Sequence, residues 1–105
     1  MVKYVSTFQL KSGYDPDESF QIWLDDHVPY IKEVLSPELK GYIVGRVVQN
    51  IPADAGFYGS VQLSFHSIDD FNKAWSRLHE NPPDKFMKRI ENVRRVIIEE
   101  QDVLT

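Results

Sequence analysis

The chain contains no cysteine. That absence excludes disulfides, thiolate nucleophiles and sulfur-ligated metal centres, and it suits a reducing compartment. Long apolar runs are missing as well: none approaches the roughly 20 residues needed to span a bilayer. The five glycines form no phosphate-cradling pattern, so a nucleotide cofactor is not expected. Basic residues are the minority. Twelve Lys and Arg against sixteen Asp and Glu leave a net charge of −4, which argues against nucleic acid or an anionic membrane surface as the main partner. The late basic residues Lys85, Lys88, Arg89, Arg94 and Arg95 are interleaved with acids and read as a solvated surface. The three histidines, at 27, 66 and 79, have no ligand-like spacing, so no metal site is expected. No nucleophile-elbow pattern occurs.

What is present is ordinary globular material. A hydrophobic share of 42% with 27% charged residues predicts a folded core, and 105 residues allow one domain spanning the whole chain. The N-terminal MVKYVSTFQL alternates polar and apolar residues and reads as a strand, not a signal peptide, so a cytoplasmic setting is expected.

The pattern predicts four strands and two helices. Val2 to Leu10 alternate, with Tyr4, Ser6, Phe8 and Leu10 on one face and Val5, Thr7 and Gln9 on the other. Asp15, Pro16 and Glu18 mark a helix start, and this first helix should run to about Leu35, stopped by Ser36–Pro37. Gly41 to Ile51 reads as the second strand and Phe57 to Phe65 as the third. Ser67, with Asp70 three residues on, caps a second helix whose apolar stripe is Ile68, Phe71, Ala74, Trp75 and Leu78. NPPDKF breaks it, and Asn92 to Val103 forms the last strand. Strand–helix–strand–strand–helix–strand with right-handed crossovers gives an α+β, ferredoxin-like sandwich: a four-stranded antiparallel sheet with both helices on one face. The other face, with Ser60, Gln62 and Ser64 among Val5, Ile43 and Val47, is too apolar for water and too polar for a dry core. A second copy packed sheet to sheet is the expected solution.

The first helix carries an anomaly. Phe20, Trp23, Leu24, His27, Val28 and Ile31 recur at helical spacing, which puts His27 on the buried stripe. Pro29 follows, and its missing N–H loosens the turn that holds His27. Two readings stay open for this side chain. It is a core histidine bonded to the carbonyl that Pro29 leaves free, or it is a proton-transfer group in an apolar pocket. Asp25 and Asp26 point largely outward, so no His–Asp dyad is expected.

The βαββαβ order, the size and the pattern F-x-x-W-x-x-x-H-x-P, here Phe20, Trp23, His27 and Pro29, resemble the EthD-type members of the dimeric α/β-barrel superfamily. The strand-to-helix junction FYGSVQLSFHSIDDF adds to the resemblance. The resemblance implies a homodimer whose sheets close into a barrel, and a small-molecule pocket between each sheet and its helices, often without a cofactor. EthD is named for a role in ether degradation beside a cytochrome P450 system. The wider superfamily includes muconolactone isomerases, polyketide cyclases, monooxygenases of polycyclic quinols and haem-degrading enzymes, so the fold does not choose a reaction.

The resemblance makes His27 the motif histidine and the expected acid/base group. Trp23, one turn earlier on the same face, packs on the sheet or lines the pocket. Tyr42 and Arg46 share a face of the second strand, where a hydroxyl and a fixed positive charge would serve an enolate or carboxylate, or would form a surface or dimer contact. Tyr4 reaches a cavity or an interface; Tyr58 does likewise. His66 is expected in a loop, and His79 in solvent at the end of the second helix. The expected activity is cofactor-independent isomerase- or cyclase-like chemistry on a hydrophobic aromatic, lactone or polyketide-like molecule. The alternatives are an accessory protein that binds such a molecule for an oxygenase, and a purely structural dimerisation module.

Overall fold

A computed structural model describes residues 1–104. The strands are β1 (Val2–Leu10), β2 (Gly41–Arg46), β3 (Gly59–Phe65) and β4 (Ile90–Glu99), paired in the order β2-β3-β1-β4 with every neighbouring pair antiparallel. The helices are α1 (Pro16–Ile22), α2 (Val28–Val34) and α3 (Ile68–Glu80). This is the α+β ferredoxin-like arrangement. Both expected caps form: the Asp15 carboxylate accepts from Glu18 N–H at 2.8 Å, and the Ser67 hydroxyl accepts from Asp70 N–H at 3.1 Å.

The alternation of β1 sorts the sheet into two faces. Directly opposed residues share a face, so Tyr42, Leu63, Tyr4 and Ile97 form one row toward the helices, and Val61, Ser6 and Arg95 lie in the next. The core on this side divides in two. One cluster gathers Tyr4, Ile31, Leu35, Leu63, Phe65, Phe71 and Ala74; the other gathers Phe8, Trp23, Phe86 and Ile90. The opposite face carries Val5, Ser60, Gln62 and Ser64 with Ile43 and Val96, which stay 59% and 57% exposed, so a broad partly apolar surface is left bare.

Several strand boundaries differ from expectation. The second strand ends at Arg46 rather than Ile51, and the third begins at Gly59 rather than Phe57. Between them the Asn50 amide brackets Phe57, accepting from its N–H at 2.8 Å and donating to its carbonyl at 3.1 Å. Side-chain bonding thus replaces the ladder there. The last strand starts at Ile90, opposite Leu10, and ends at Glu99. The ladder between β1 and β4 slips near Phe8, where Asn92 takes a left-handed φ of 53° that absorbs the extra residue.

A further difference matters most for the site. The first helix is not continuous: between α1 and α2 lies one wide turn, Trp23–His27, of π-helix. Val28 N–H reaches back five residues to the Trp23 carbonyl. Pro29, next in line, has no N–H to offer and its ring crowds the carbonyl four residues before it, so the chain widens just ahead of it.

Candidate functional site: an apolar cavity holding His27

A cavity of about 230 Å³ lies between the helix-facing side of the sheet and the helices. It is reached by side chains from all four strands, from the π turn and α2, and from α3 and the Pro82–Met87 segment. Most of its wall is aliphatic or aromatic. The exposed members of that wall are His79, Pro82 and Arg95, and they mark its mouth.

His27 closes the π turn and is only 8% exposed. Its ring lies 5.2 Å from that of Phe86. Among the described residues neither ring nitrogen is hydrogen-bonded to the protein, so the carbonyl freed by Pro29 is not its partner. Burial pushes the His27 pKa down to about 4, with Asp26 pulling weakly the other way. The ring is therefore neutral at physiological pH, with a lone pair and an N–H both unused by the fold.

Trp23 lies one turn before His27 and has no exposed surface. It stacks on Phe86 at 5.1 Å and meets Phe8 edge-on at 5.3 Å. Its far edge presses on β3 at Gly59, where a Cβ would sit 2.8 Å from two ring carbons; only glycine fits beneath this tryptophan. Trp23 is a wall of the cavity that the core holds rigid.

Tyr4 and Tyr42 both line the cavity from the sheet. The Tyr4 ring packs against Trp75, at 5.0 Å, and Phe71, at 6.1 Å, which stack on each other at 5.3 Å. Its hydroxyl accepts a hydrogen bond from Arg95 Nε at 3.1 Å. Burial, with Tyr4 nearby, pushes the Tyr42 phenol above its ordinary range and keeps it a protonated donor. Ser6, buried between Tyr4 and Phe8 along β1, adds a hydroxyl to the wall.

Arg46 does not belong to this site. It shares a strand face with Tyr42 as expected but sits at the end of β2, outside the cavity lining. There it pairs with Asp17 at 2.6 Å and covers the Phe20 ring at 5.1 Å. The start of α1 crosses that end of the sheet and brings Asp17 to the guanidinium. Tyr58 is likewise committed to structure, its hydroxyl donating to the Pro16 carbonyl at 2.6 Å. His66 is an exposed loop residue; His79 is exposed as expected but also lines the cavity mouth.

The positive charge at the site comes from Arg95, which sequence analysis left among solvated surface residues. The signal was available in its spacing: Val93, Arg95 and Ile97 are two apart, so an inward Val93 predicts an inward Arg95. Among the described residues no cluster of three or more His, Asp or Glu is placed to hold a metal ion.

No family model matches the chain, and no protein of curated function matches it. Solved structures do. An EthD family protein from Bacillus halodurans superposes with a TM-score of 0.67 at 15% identity, covering 96% of this chain and 99% of that one. SnoaB, a cofactor-independent oxygenase from Streptomyces nogalater, gives 0.68 at 12% identity, with 98% and 95% covered. A hydroxynitrile lyase from Passiflora edulis gives 0.59 at 22% identity, with 96% and 95% covered. By its strand order and by its likeness to these structures, the chain has the ferredoxin-like α+β fold that the EthD family protein and SnoaB also have.

Proposed function

We propose that this chain is a small-molecule enzyme that moves a proton on a largely apolar aromatic, lactone or polyketide-like compound, with His27 as the acid/base group and without a cofactor. One observation carries this reading: a buried, neutral and unbonded imidazole in the wall of an apolar cavity of about 230 Å³. The free lone pair of His27 accepts a proton from an activated C–H or O–H of the bound molecule. The oxygen that gains negative charge is met by the phenol of Tyr42, whose O–H group costs little to reorganise because packing already holds it. An imidazolium beside an enolate is an ion pair, and that attraction offsets the burial that depresses the His27 pKa in the empty cavity. Relatives named as a cofactor-independent oxygenase and a hydroxynitrile lyase support small-molecule chemistry in this fold without selecting one.

The test is solvent-deuterium exchange at the activated C–H of 2-tetralone, followed by NMR alongside binding of the same compound. The protein should accelerate exchange, and His27→Gln should lower that acceleration by about 10²- to 10⁴-fold with binding retained. Acceleration that survives His27→Gln overturns the role given to this residue.

A second reading, an accessory protein that binds such a molecule for an oxygenase system, is favoured by one feature. At a pKa of about 4 the His27 ring is a weak base until a ligand changes its surroundings, and among the described residues no carboxylate is hydrogen-bonded to it. Binding without exchange in either protein selects this reading, to which the role in ether degradation implied by the EthD resemblance also belongs.

The working unit in this proposal is a homodimer formed by the bare sheet faces, which would cover Val5, Ile43, Val96 and Gln62. Gln62 stands between Val5 and Ile43 in the ladder. Gln62→Lys places like charges near each other across a two-fold axis and should weaken dimerisation about tenfold or more in sedimentation equilibrium. An unchanged association constant counts against this interface.

A further inference from the structure

The cavity wall is electrostatically one-sided. Not one of the chain's sixteen Asp and Glu residues lines it, although acids outnumber bases overall. It holds one permanent cation, Arg95, at the mouth. Among the described residues Arg95 takes part in no ion pair, while Arg46, Arg77 and Arg89 each have a carboxylate partner. Arg95 is not loose, however. Its Nε donates to the Tyr4 hydroxyl, and the Tyr4 ring packs against the stacked pair Phe71 and Trp75. That bond uses the side of the guanidinium and leaves the terminal fork of Nη1 and Nη2 for something else. Directly opposite Arg95 in the ladder stands Ser6, whose hydroxyl also lines the cavity and bonds to no protein group among the described residues. The Tyr4 hydroxyl, accepting from Arg95, still has its own proton to donate.

We infer that Arg95, with Tyr4 and Ser6, forms an anion-docking subsite, and that the ligand is a small apolar molecule bearing one carboxylate; this rests on the small-molecule reading of the same cavity. A carboxylate matches the flat fork of a guanidinium through two parallel hydrogen bonds, and the two hydroxyls supply further donors. The charged end stays at the mouth, where water reduces the cost of desolvation, while the apolar body enters among Leu63, Trp23 and Phe86 toward His27. Tyr4 here both holds Arg95 in place and donates to the carboxylate. The subsite also orients the ligand, because an anchored carboxylate lets only one end of the molecule reach His27.

A matched pair of probes tests this: 2-naphthoate and its neutral isostere 2-naphthamide, titrated calorimetrically at low salt and neutral pH. Wild-type protein should prefer the naphthoate by about tenfold to a hundredfold. Arg95→Met should abolish that preference while leaving naphthamide affinity within about threefold, and Arg95→Lys, keeping the charge without the fork, should restore part of it. Circular dichroism and thermal melting establish that each variant is folded; if Arg95→Met does not fold, Arg95→Lys carries the test through a reduced preference. His27→Gln should retain the preference, so a failed catalytic role for His27 is distinguishable from a failed subsite. Equal affinity for the two probes in the wild type, or an undiminished preference in the Arg95 variants, overturns the inference alone. Failure of both probes to bind overturns it together with the small-molecule reading of the cavity.

Discussion

Trp23 and Trp75 lie on the same side of one sheet in very different surroundings. Trp23 has no exposed surface, stacks on Phe86, meets Phe8 edge-on and leaves no room for a Cβ at Gly59. Trp75 is half-buried, lies against Tyr4 and Phe71, and faces the cavity beside groups that can hydrogen-bond a ligand. Neither ring fills the space between them. A close-packed region resists any change of volume, and it can therefore hold a neighbouring side chain to a fixed position. The Trp23 cluster does this for His27, one helical turn away. The Trp75 region keeps room for a guest, stiffened only where Tyr4 must hold Arg95.

Removing each ring is the strongest way to break this contrast. Trp23→Ala should cost about 3–5 kcal/mol in urea unfolding, as for a fully buried aromatic. Trp75→Ala should cost less, about 2 kcal/mol, because part of that ring stays in water and it borders an open cavity. Equal losses would mean that the two regions are equally packed.

Acid titration examines the boundary between them, where His27 stands. Its folded pKa of about 4 lies below the ordinary value of 6.5, so the unfolded chain binds the proton more readily. Stability from the buried neutral ring is present in full above about pH 6.5 and is lost as pH falls toward about 4, by roughly 3 kcal/mol over that window. Urea midpoints at pH 7, 5.5 and 4 should show this slope, and His27→Gln should flatten it. A wild-type stability independent of pH over that range would mean that the ring is solvated.

Gly59→Ala sharpens the comparison from the sheet side. Its Cβ would press on a Trp23 ring that has nowhere to go, and the expected cost is about 1–3 kcal/mol. A neutral result would show that the Trp23 cluster can yield.

Much of the fold could be read from residue order. Alternation in β1 and β3, the caps at Asp15 and Ser67 and the apolar stripe of α3 are local patterns, each set by residues within one or two turns of one another. The strand ends were less readable, because the Asn50–Phe57 bracket joins residues seven apart in sequence that only the folded loop aligns. The candidate site divides the same way. His27, Trp23, Tyr42 and Tyr4 could be chosen from periodicity and the family pattern. Arg46 does share a face with Tyr42, but that relation says nothing of which helix end covers its stretch of strand. Arg95 reads as surface by its charge and as inward by its spacing from Val93 and Ile97, and the structure follows the spacing.

The amino-acid sequence by itself determined the strand and helix order, the inward face of each element, the break at Pro29 and the exclusion of cysteine chemistry. These follow from backbone geometry and from hydrophobic periods that act over a few residues. Only the tertiary structure decided that a cavity remains between two tryptophans, that Arg95 rather than Arg46 supplies its charge, and that His27 finds no partner among the described residues. Those outcomes depend on which side chains meet across the sheet and at what distance. Such contacts are made between segments far apart in sequence, and no local pattern encodes them.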